Sequence, residues 1–372
     1  MKVPRRVLMT ADSVGGVWTY ALELAAALET FGVEVTLATM GRLLSADQRA
    51  EAAAHRNLQV FESRYKLEWM EDPWEDVRAS GQWLLALERQ IQPEIIHLNG
   101  YCHAVLPWSA PALVVGHSCV MSWWQAVRGE QPPASWSRYR NAVRLGLGAA
   151  DSVVAPSHAM LAVLREQYAV VPRGQVIPNA RDAALFTPRS KEPFILSAGR
   201  LWDEAKNVAA LESIAMRLPW PVLVAGEDRH PDGGGTSVQG VVPLGRLSAL
   251  MMSERLGSAS IYVLPARYEP FGLSVLEAAL SGCALVLGDI DSLRENWHGA
   301  ALFVPPEDTG ALYETILELI SNEVLRERLA VAALERGRCF TPQRMGQAYF
   351  SLYQQLASGI PHCASAVAEV QS

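Results

Sequence analysis

The chain has 372 residues, half of them hydrophobic, and a formal net charge of −7 at pH 7. Its length predicts two domains, and its acidic balance disfavours wholesale binding to nucleic acid or anionic lipid. Because no apolar run approaches the ~18 residues that a membrane span needs, we expect a cytoplasmic protein without stable membrane binding.

The first half of the chain alternates apolar strands with helical stripes, a pattern typical of a parallel sheet. Residues 6–10 form the first predicted strand, and a turn at Gly15 and Gly16 leads into a helix. These glycines either bring backbone amides close to a phosphate or serve a tight turn. They do not form the Gly-x-Gly-x-x-Gly fingerprint, which argues against a nicotinamide enzyme.

Further strands are predicted at residues 32–39, 94–98, 112–115 and 151–156. His117 follows the third of these, where an imidazole could exchange a hydrogen bond with a reacting hydroxyl near neutral pH. His97, Cys102 and His103 match no common zinc spacing, and the five scattered cysteines predict free thiols.

Prolines and glycines cluster between the two halves and predict a linker at residues 173–192. The chain is thereby divided into a first domain over residues 1–172 and a second over residues 193–342. A helical apolar stripe follows at residues 343–358. Residues 359–372 have little periodicity, and we expect this tail to be disordered.

The second domain opens with a strand at residues 194–198 and a loop that contains Gly199, Arg200 and Lys206. Two cations directly after a strand are what a diphosphate requires, because the arginine fork binds two oxygens and the lysine adds a compact charge. The nearby Asp203 leaves open a second interpretation, in which these side chains only form exposed ion pairs.

Two glutamates frame the segment Glu-Pro-Phe-Gly-Leu-Ser-Val-Leu-Glu-Ala, which begins at Glu269 after a predicted strand. Glu269 lies in a loop because it precedes a proline, which disfavours the helical conformation. Glu277 is predicted about two turns into the following helix, so both carboxylates can face the crevice at the carboxyl end of a parallel strand. Gly272 permits close backbone approach at the start of that helix.

This pattern resembles the Glu-x7-Glu segment of the retaining GT-B glycosyltransferases of family 4, also called glycosyl transferases group 1. The resemblance implies an α/β fold in which two Rossmann-like parallel-sheet domains face each other across a cleft. The first domain would bind the acceptor and the second the nucleotide sugar. The helix at residues 343–358 would cross back and pack on the first domain.

The resemblance also implies a role for each candidate residue. Arg200 and Lys206 would stabilise the charge of the departing diphosphate without a metal. Glu269 and His117 would be the other two catalytic residues, facing the donor sugar, and Glu277 would hold the ribose hydroxyls. The remaining donor contacts that it implies are Gly15, Gly16, Gly199, Phe271, Gly272 and Leu273.

Two stretches raise separate questions. Family members usually have Val-Ile-Pro-Asn-Gly-Val-Asp where this chain has Ala180 and Arg181 in the last part of the motif, and we predict little chemical consequence from that departure. Asp289 and Asp291 form an Asp-x-Asp motif of the kind that can hold a divalent metal. We interpret it as a loop motif because Arg200 and Lys206 already supply positive charge.

The sequence therefore predicts a hexosyltransferase that uses a nucleotide diphosphate sugar, retains the anomeric configuration and needs no cofactor. The acceptor would be a glycan, a lipid-linked molecule or a small molecule. Eight of the 11 tryptophans lie at or before Trp136. Because tryptophan stacks on sugar rings as well as filling cores, Trp123, Trp124 and Trp136 are candidates for the acceptor side.

Three alternatives stay open at this point. An epimerase acting on a nucleotide sugar could share the architecture. A phosphorylase would require phosphate or pyridoxal phosphate, and a non-catalytic module would bind a nucleotide sugar or glycan without turnover.

Overall fold

The computed structural model describes residues 3–171, 173–227 and 239–359. The strands are β1 (Arg6–Asp12), β2 (Glu34–Met40), β3 (Leu58–Glu62), β4 (Ile95–Leu98), β5 (Ala112–Val115), β6 (Ser152–Ala155), β7 (Gly174–Val176), β8 (Glu192–Ala198), β9 (Val222–Ala225), β10 (Val242–Gly245), β11 (Ala259–Leu264), β12 (Ala284–Gly288) and β13 (Leu302–Val304). Of the tail predicted at 359–372, residues 360–372 lie outside the described residues.

Helices follow most of these strands. They are α1 (Gly16–Glu29), α2 (Ala46–Ala53), α3 (Trp74–Ile91), α4 (Val120–Arg128), α5 (Ser137–Ala149), α6 (His158–Tyr168), α7 (Val208–Ala215), α8 (Ala249–Ser258), α9 (Leu273–Leu280), α10 (Asp291–Trp297), α11 (Thr309–Ser321), α12 (Glu323–Gly337) and α13 (Pro342–Ala357).

The strands form two parallel sheets, in the orders β3-β2-β1-β4-β5-β6-β7 and β10-β9-β8-β11-β12-β13. Central strands such as β11 are buried along their whole length, as expected when helices cover both faces of a parallel sheet. The predicted α/β fold with two Rossmann-like domains is therefore confirmed.

In each sheet the strand order reverses once, between β1 and β4 in the first and between β8 and β11 in the second. Ligands of open α/β sheets bind beside such switch points, outside the carboxyl ends of the strands. The glycine turn follows β1, the Arg200 loop follows β8 and the Glu269 loop follows β11. The topology thus brings the predicted site segments to the two switch points.

The sequence pattern also predicts strands at residues 221–226 and 284–287, which match β9 and β12, and a short strand with a proline turn at 175–182, where β7 lies. Three short strands, β3, β10 and β13, have no counterpart among the predicted strands. Each lies at a sheet edge, is only three to five residues long and is partly exposed, so none of them has the length and full burial of a central strand. The range predicted as the linker also begins with β7, which pairs in parallel with β6. The chain therefore leaves the first sheet after Val176.

The last helix, α13, crosses back and packs against α1 of the first domain, as predicted for the GT-B fold. Thr341 caps its first turn and Pro342 occupies its first position, where a missing N–H costs nothing. A β-carbon on Gly346 would lie 2.8 Å from the Ala27 side chain, so glycine lets the two helices approach closely. Tyr349 and Tyr353 are fully buried in the first domain's core.

Candidate active site

A cleft of about 1100 Å³ lies between the two domains. This volume slightly exceeds the about 300–1,000 Å³ that is typical of small-molecule pockets. All eleven predicted site residues line it: Gly15, Gly16, His117, Gly199, Arg200, Lys206, Glu269, Phe271, Gly272, Leu273 and Glu277.

Lys206 and Glu269 form an ion pair in this cleft, with 2.6 Å between Lys206 Nζ and Glu269 Oε2. Lys206 ends a short 3₁₀ turn, which Asn207 anchors by donating side-chain hydrogen bonds to the carbonyl oxygens of Pro265 and Pro306 at 2.9 and 2.8 Å. The two ion-paired side chains are only 15% and 14% exposed. A cation and a carboxylate are therefore held together where β8 and β11 end.

Arg200 faces the glycine turn of the other domain. Its Nη2 donates to Asp203 Oδ2 at 2.7 Å, and a β-carbon on Gly15 would lie 3.7 Å from its Nη1. Gly15 has a φ of 105°, a conformation that side-chain-bearing residues rarely adopt. On Gly16, a β-carbon would lie 3.4 Å from a Leu273 methyl group. The predicted residues of the two domains thus meet across the cleft.

His117 is oriented by Asn99, a residue that the sequence did not single out. Asn99 Nδ2 donates to the Thr10 carbonyl at 2.7 Å, so its Oδ1 is the acceptor for His117 Nε2 at 2.8 Å. Burial lowers the pKa of His117 to about 3, which keeps the imidazole neutral near pH 7. Nε2 therefore carries the ring hydrogen, and Nδ1 is left as a hydrogen-bond acceptor.

Asn99 itself belongs to a longer buried chain of hydrogen bonds. His97 Nε2 lies 3.3 Å from Asn99 Oδ1, and His97 Nδ1 lies 2.7 Å from the Tyr353 hydroxyl. Burial and the nearby His117 lower the pKa of His97 to about 3. The crossing helix α13 thus supports the geometry of His117. The sequence held one indication that Asn99 belongs to the site. Asn99 directly follows β4, and β4 lies beside β5, the strand that precedes His117.

Glu277 is already engaged by Arg181, which corrects the prediction that Arg181 has little chemical consequence. Arg181 Nε lies 2.9 Å from Glu277 Oε1, and its Nη1 lies 2.7 Å from Glu23 Oε2 on α1. Burial raises the pKa of Glu277, and the guanidinium opposes that shift. The departure of Arg181 from the family motif was a signal that this residue has a particular role. Its partner Glu23 could not be identified from local sequence, because it is 158 residues away.

Two of the predicted donor contacts, Phe271 and Gly272, lie at the start of α9. Phe271 is buried, and its ring packs edge-to-face on Phe340 with centroids 5.4 Å apart, so its side chain belongs to the core. The Gly272 amide donates to Glu269 Oε1 at 3.0 Å. This bond fixes the Glu269 carboxylate against the start of the helix, and that amide is not free for a donor.

Asp12 is a second cleft residue that sequence reasoning missed. It is the last residue of β1, and its Oδ1 accepts a hydrogen bond from the Val14 amide at 2.6 Å. Burial raises the pKa of Asp12 to about 7, although Arg200 and Arg42 oppose that shift. A carboxyl group that titrates near neutrality therefore lies beside the glycine turn.

Direct contacts across the cleft hold the domains close together. Trp123 Nε1 donates to Asp203 Oδ1 at 3.0 Å, and Arg42 Nη1 lies 3.0 Å from Glu227 Oε1. Trp123, Trp124 and Trp136 all line the cleft on the side of the first domain. Their position keeps them as candidates for the acceptor side, while Trp123 also joins the two domains.

The remaining predictions concern a metal site, the state of the cysteines and membrane-spanning helices. Asp289 pairs with Arg294, at 2.6 Å between Oδ2 and Nη2, which accounts for one carboxylate of the Asp-x-Asp motif. Among the described residues, no group of three or more His, Cys, Asp or Glu side chains is placed to hold a metal ion. The four cysteines in the described ranges are free thiols. No helix in those ranges is long and apolar enough to cross a membrane.

Comparison with family models assigns both halves of the chain. Residues 14–185 match the model described as Glycosyltransferase Family 4, and residues 192–322 match the model described as Glycosyl transferases group 1. The two matched ranges contain every predicted site residue, whereas β1, α12 and α13 lie outside them.

Among curated proteins, the chain is similar to an N,N'-diacetylbacillosaminyl-diphospho-undecaprenol alpha-1,3-N-acetylgalactosaminyltransferase of Campylobacter jejuni. The two are 31% identical over 179 residues, which cover 46% of each chain. This chain is also 30% identical to a glycogen synthase of Mycobacterium tuberculosis over 178 residues, which cover 43% of each chain. The chain thus matches less than half the length of these curated relatives.

Solved structures share the fold over nearly the whole length. Sucrose-phosphate synthase from Thermosynechococcus elongatus superposes with a TM-score of 0.80 at 18% identity, covering 95% of this chain and 100% of that one. HepE from Anabaena, solved in complex with UDP-glucose, superposes with a TM-score of 0.73 at 16% identity, covering 94% and 100%.

Proposed function

Because the chain belongs to the GT-B glycosyltransferases of family 4, we propose that it transfers a hexose from a nucleotide diphosphate sugar to an acceptor hydroxyl with retention of anomeric configuration. The observation that carries this proposal is the grouping of Arg200, Lys206 and Glu269 at the second domain's switch point, with Lys206 and Glu269 paired at 2.6 Å. A diphosphate and its attached sugar need this combination of cations and a carboxylate.

In the proposed reaction, the bond from the anomeric carbon to the diphosphate oxygen breaks, and the acceptor oxygen forms a bond to the same carbon on the same face. The acceptor hydroxyl passes its proton to the diphosphate oxygen that leaves the anomeric carbon. Arg200 and Lys206 stabilise the negative charge that grows on the departing diphosphate, and they do so without a metal ion. Glu269 orients the sugar, and the unprotonated Nδ1 of His117 accepts a hydrogen bond from a sugar hydroxyl.

Closure of the cleft supports transfer over hydrolysis. The Trp123–Asp203 hydrogen bond and the Arg42–Glu227 ion pair connect α4 and the loop after β2 in the first domain to the loops after β8 and β9 in the second. Exclusion of bulk water from such a site strengthens electrostatic interactions and limits attack by water on the donor. The tryptophan-lined half would then accept a hydroxyl-bearing molecule with an apolar ring face, such as a glycan.

A thermal-shift screen with UDP-glucose, UDP-N-acetylglucosamine, UDP-galactose and GDP-mannose tests donor binding, since a ligand of the native state raises its melting temperature. Stabilising donors are then incubated with pooled glycan and sugar-phosphate acceptors, and the products are analysed by NMR. The proposal predicts acceptor-dependent release of nucleoside diphosphate and a product with the donor's anomeric configuration. Interconversion of nucleotide sugars without acceptor would instead establish an epimerase, and binding without turnover a non-catalytic module.

A further inference from the structure

We propose that Arg181 is a positioning residue of the donor site: it holds Glu277 as an oriented carboxylate for the donor ribose and ties that carboxylate to the first domain through Glu23. This inference rests on the proposed function, because it assigns Glu277 to a nucleoside ribose. It goes further by giving a role to a residue where the sequence departs from the family motif.

The geometry places one guanidinium between two carboxylates from different domains. Arg181 lies in the segment that joins β7 to β8, Glu23 lies on α1 of the first domain, and Glu277 lies on α9 of the second. The distances are 2.7 Å from Nη1 to Glu23 and 2.9 Å from Nε to Glu277. The side chains of Arg181, Glu23 and Glu277 are 12%, 7% and 16% exposed, so water screens the two ion pairs little.

Further contacts fix the guanidinium in place. Its central carbon lies 5.0 Å from the centre of the Phe186 ring, a distance suited to a cation–π contact. The Arg181 amide donates to the Phe340 carbonyl at 3.4 Å. Both the backbone and the side chain of Arg181 are therefore constrained, and the guanidinium stays within ion-pair distance of both carboxylates.

The charge of Glu277 decides what it can bind. Burial alone favours the protonated acid, which would have one donor and fewer acceptor positions, whereas an ionised carboxylate accepts hydrogen bonds from both hydroxyls of a ribose. Arg181 opposes the effect of burial on the pKa of both Glu277 and Glu23. Glu277 keeps one oxygen on Arg181, and its second oxygen has no other protein partner within the described ranges.

The same guanidinium couples the ribose position to the arrangement of the domains. A shift of α1 relative to α9 would stretch either the Glu23 pair or the Glu277 pair, because Arg181 cannot follow both. Breaking one partner of a buried ion pair leaves an uncompensated charge and is costly. The orientation of Glu277 is therefore best defined when the domains have the observed relative position.

The test compares the affinity of UDP with that of 2'-deoxy-UDP by isothermal titration calorimetry, with GDP and 2'-deoxy-GDP as a second probe pair. The wild type is expected to prefer the ribose form about 10-fold, the value of one good hydrogen bond to a charged group. Arg181→Met keeps an unbranched apolar side chain and removes the charge. This variant should reduce the preference for the ribose form to about 2-fold. Its affinity for the deoxynucleotide should change little.

A matched control is Arg189→Met, in the same connecting segment. Arg189 pairs with Glu254 at 3.3 Å, but these side chains are 51% and 47% exposed. This variant should keep the wild-type preference. Arg181→Lys retains the charge, but a single ammonium group cannot contact Glu23 and Glu277 as the guanidinium does. It should give an intermediate ribose preference, and it replaces Arg181→Met in the test if that variant does not fold.

Two outcomes would overturn the inference: a folded Arg181 variant with the full ribose preference, or one that loses affinity equally for both nucleotides, as a purely structural residue would. Failure of the wild type to bind any of UDP, GDP, ADP and CDP would contradict the proposed function itself, and the ribose role of Glu277 would fall with it.

Discussion

Lys206 Nζ and Glu269 Oε2 lie 2.6 Å apart, which joins the cation predicted for the donor diphosphate to the carboxylate predicted for the donor sugar. Each side chain neutralises the other in a cleft where both are about 15% exposed or less. Before any donor binds, the pair therefore holds two charges of the site in one arrangement.

The first prediction concerns the energy of this pair. Lys206→Ala and Glu269→Ala should each lower the free energy of unfolding by about 1–3 kcal/mol, because each leaves a mostly buried partner unpaired. The double variant should be less destabilised than the sum of the two. Urea unfolding gives the free energy of unfolding of the wild type, the two single variants and the double variant. The exposed pair Arg189–Glu254 should show coupling of about 0.5 kcal/mol or less in the same cycle, and equal coupling for the two pairs would refute the prediction.

The second prediction concerns the support that Asn99 gives to His117. Asn99→Ala removes the acceptor that fixes the ring hydrogen on Nε2, and we expect kcat/KM for transfer to fall about 10-fold. The double variant Asn99→Ala/His117→Ala should be no worse than His117→Ala alone, since Asn99 acts through that imidazole. Steady-state kinetics on the three variants provide the measurement. Fully additive losses would show that Asn99 acts independently.

The third prediction concerns pH and Asp12. Its native pKa of about 7 lies above the ordinary value of 3.8, so between these values the native state binds a proton that the unfolded state releases. The contribution of Asp12 to stability should therefore decrease by about 2 kcal/mol as pH rises from 5 to 7 and level off above pH 7. Equilibrium unfolding of wild type and Asp12→Asn at several pH values isolates this contribution. A pH-independent difference between the two proteins would contradict it.

The fourth prediction concerns the glycine turn. Gly15→Ala introduces a side chain at a φ of 105° and places its β-carbon 3.7 Å from Arg200 Nη1. We expect the turn to shift and the rate of transfer to fall by at least about 10-fold, since small displacements of positioning groups strongly affect catalysis. Gly299→Ala is the control, because Gly299 has a φ of 77° with nothing within 4 Å of an added β-carbon. It should affect stability but not the rate.

Much of this fold could be predicted because central strands such as β5 and β11 are continuous apolar runs, and parallel strands end at one edge of a sheet. That rule alone brings Arg200 and Glu269 together. The edge strand β10 escaped prediction because it is mostly exposed and carries no periodic signal.

The missed parts of the site depend on contacts between distant segments. Glu23 and Arg181 are 158 residues apart, and local pattern contains no record of such a pair. The pKa of Asp12 depends on its burial and on the opposing charges of Arg200 and Arg42, which come from different domains and meet only in the assembled cleft. The carboxyl ends of strands could thus be identified as site positions, but not the charge states of the residues there.

The most direct test of the account is transfer activity of Arg200→Ala and Lys206→Ala in the presence of a chelator, with the donor identified by thermal shift. We predict that each variant remains folded by circular dichroism and that kcat falls by about 10²–10³, the loss expected when a group that stabilises transition-state charge is removed. Wild-type activity should persist in the chelator. Full activity of both variants would contradict the assignment of the diphosphate site.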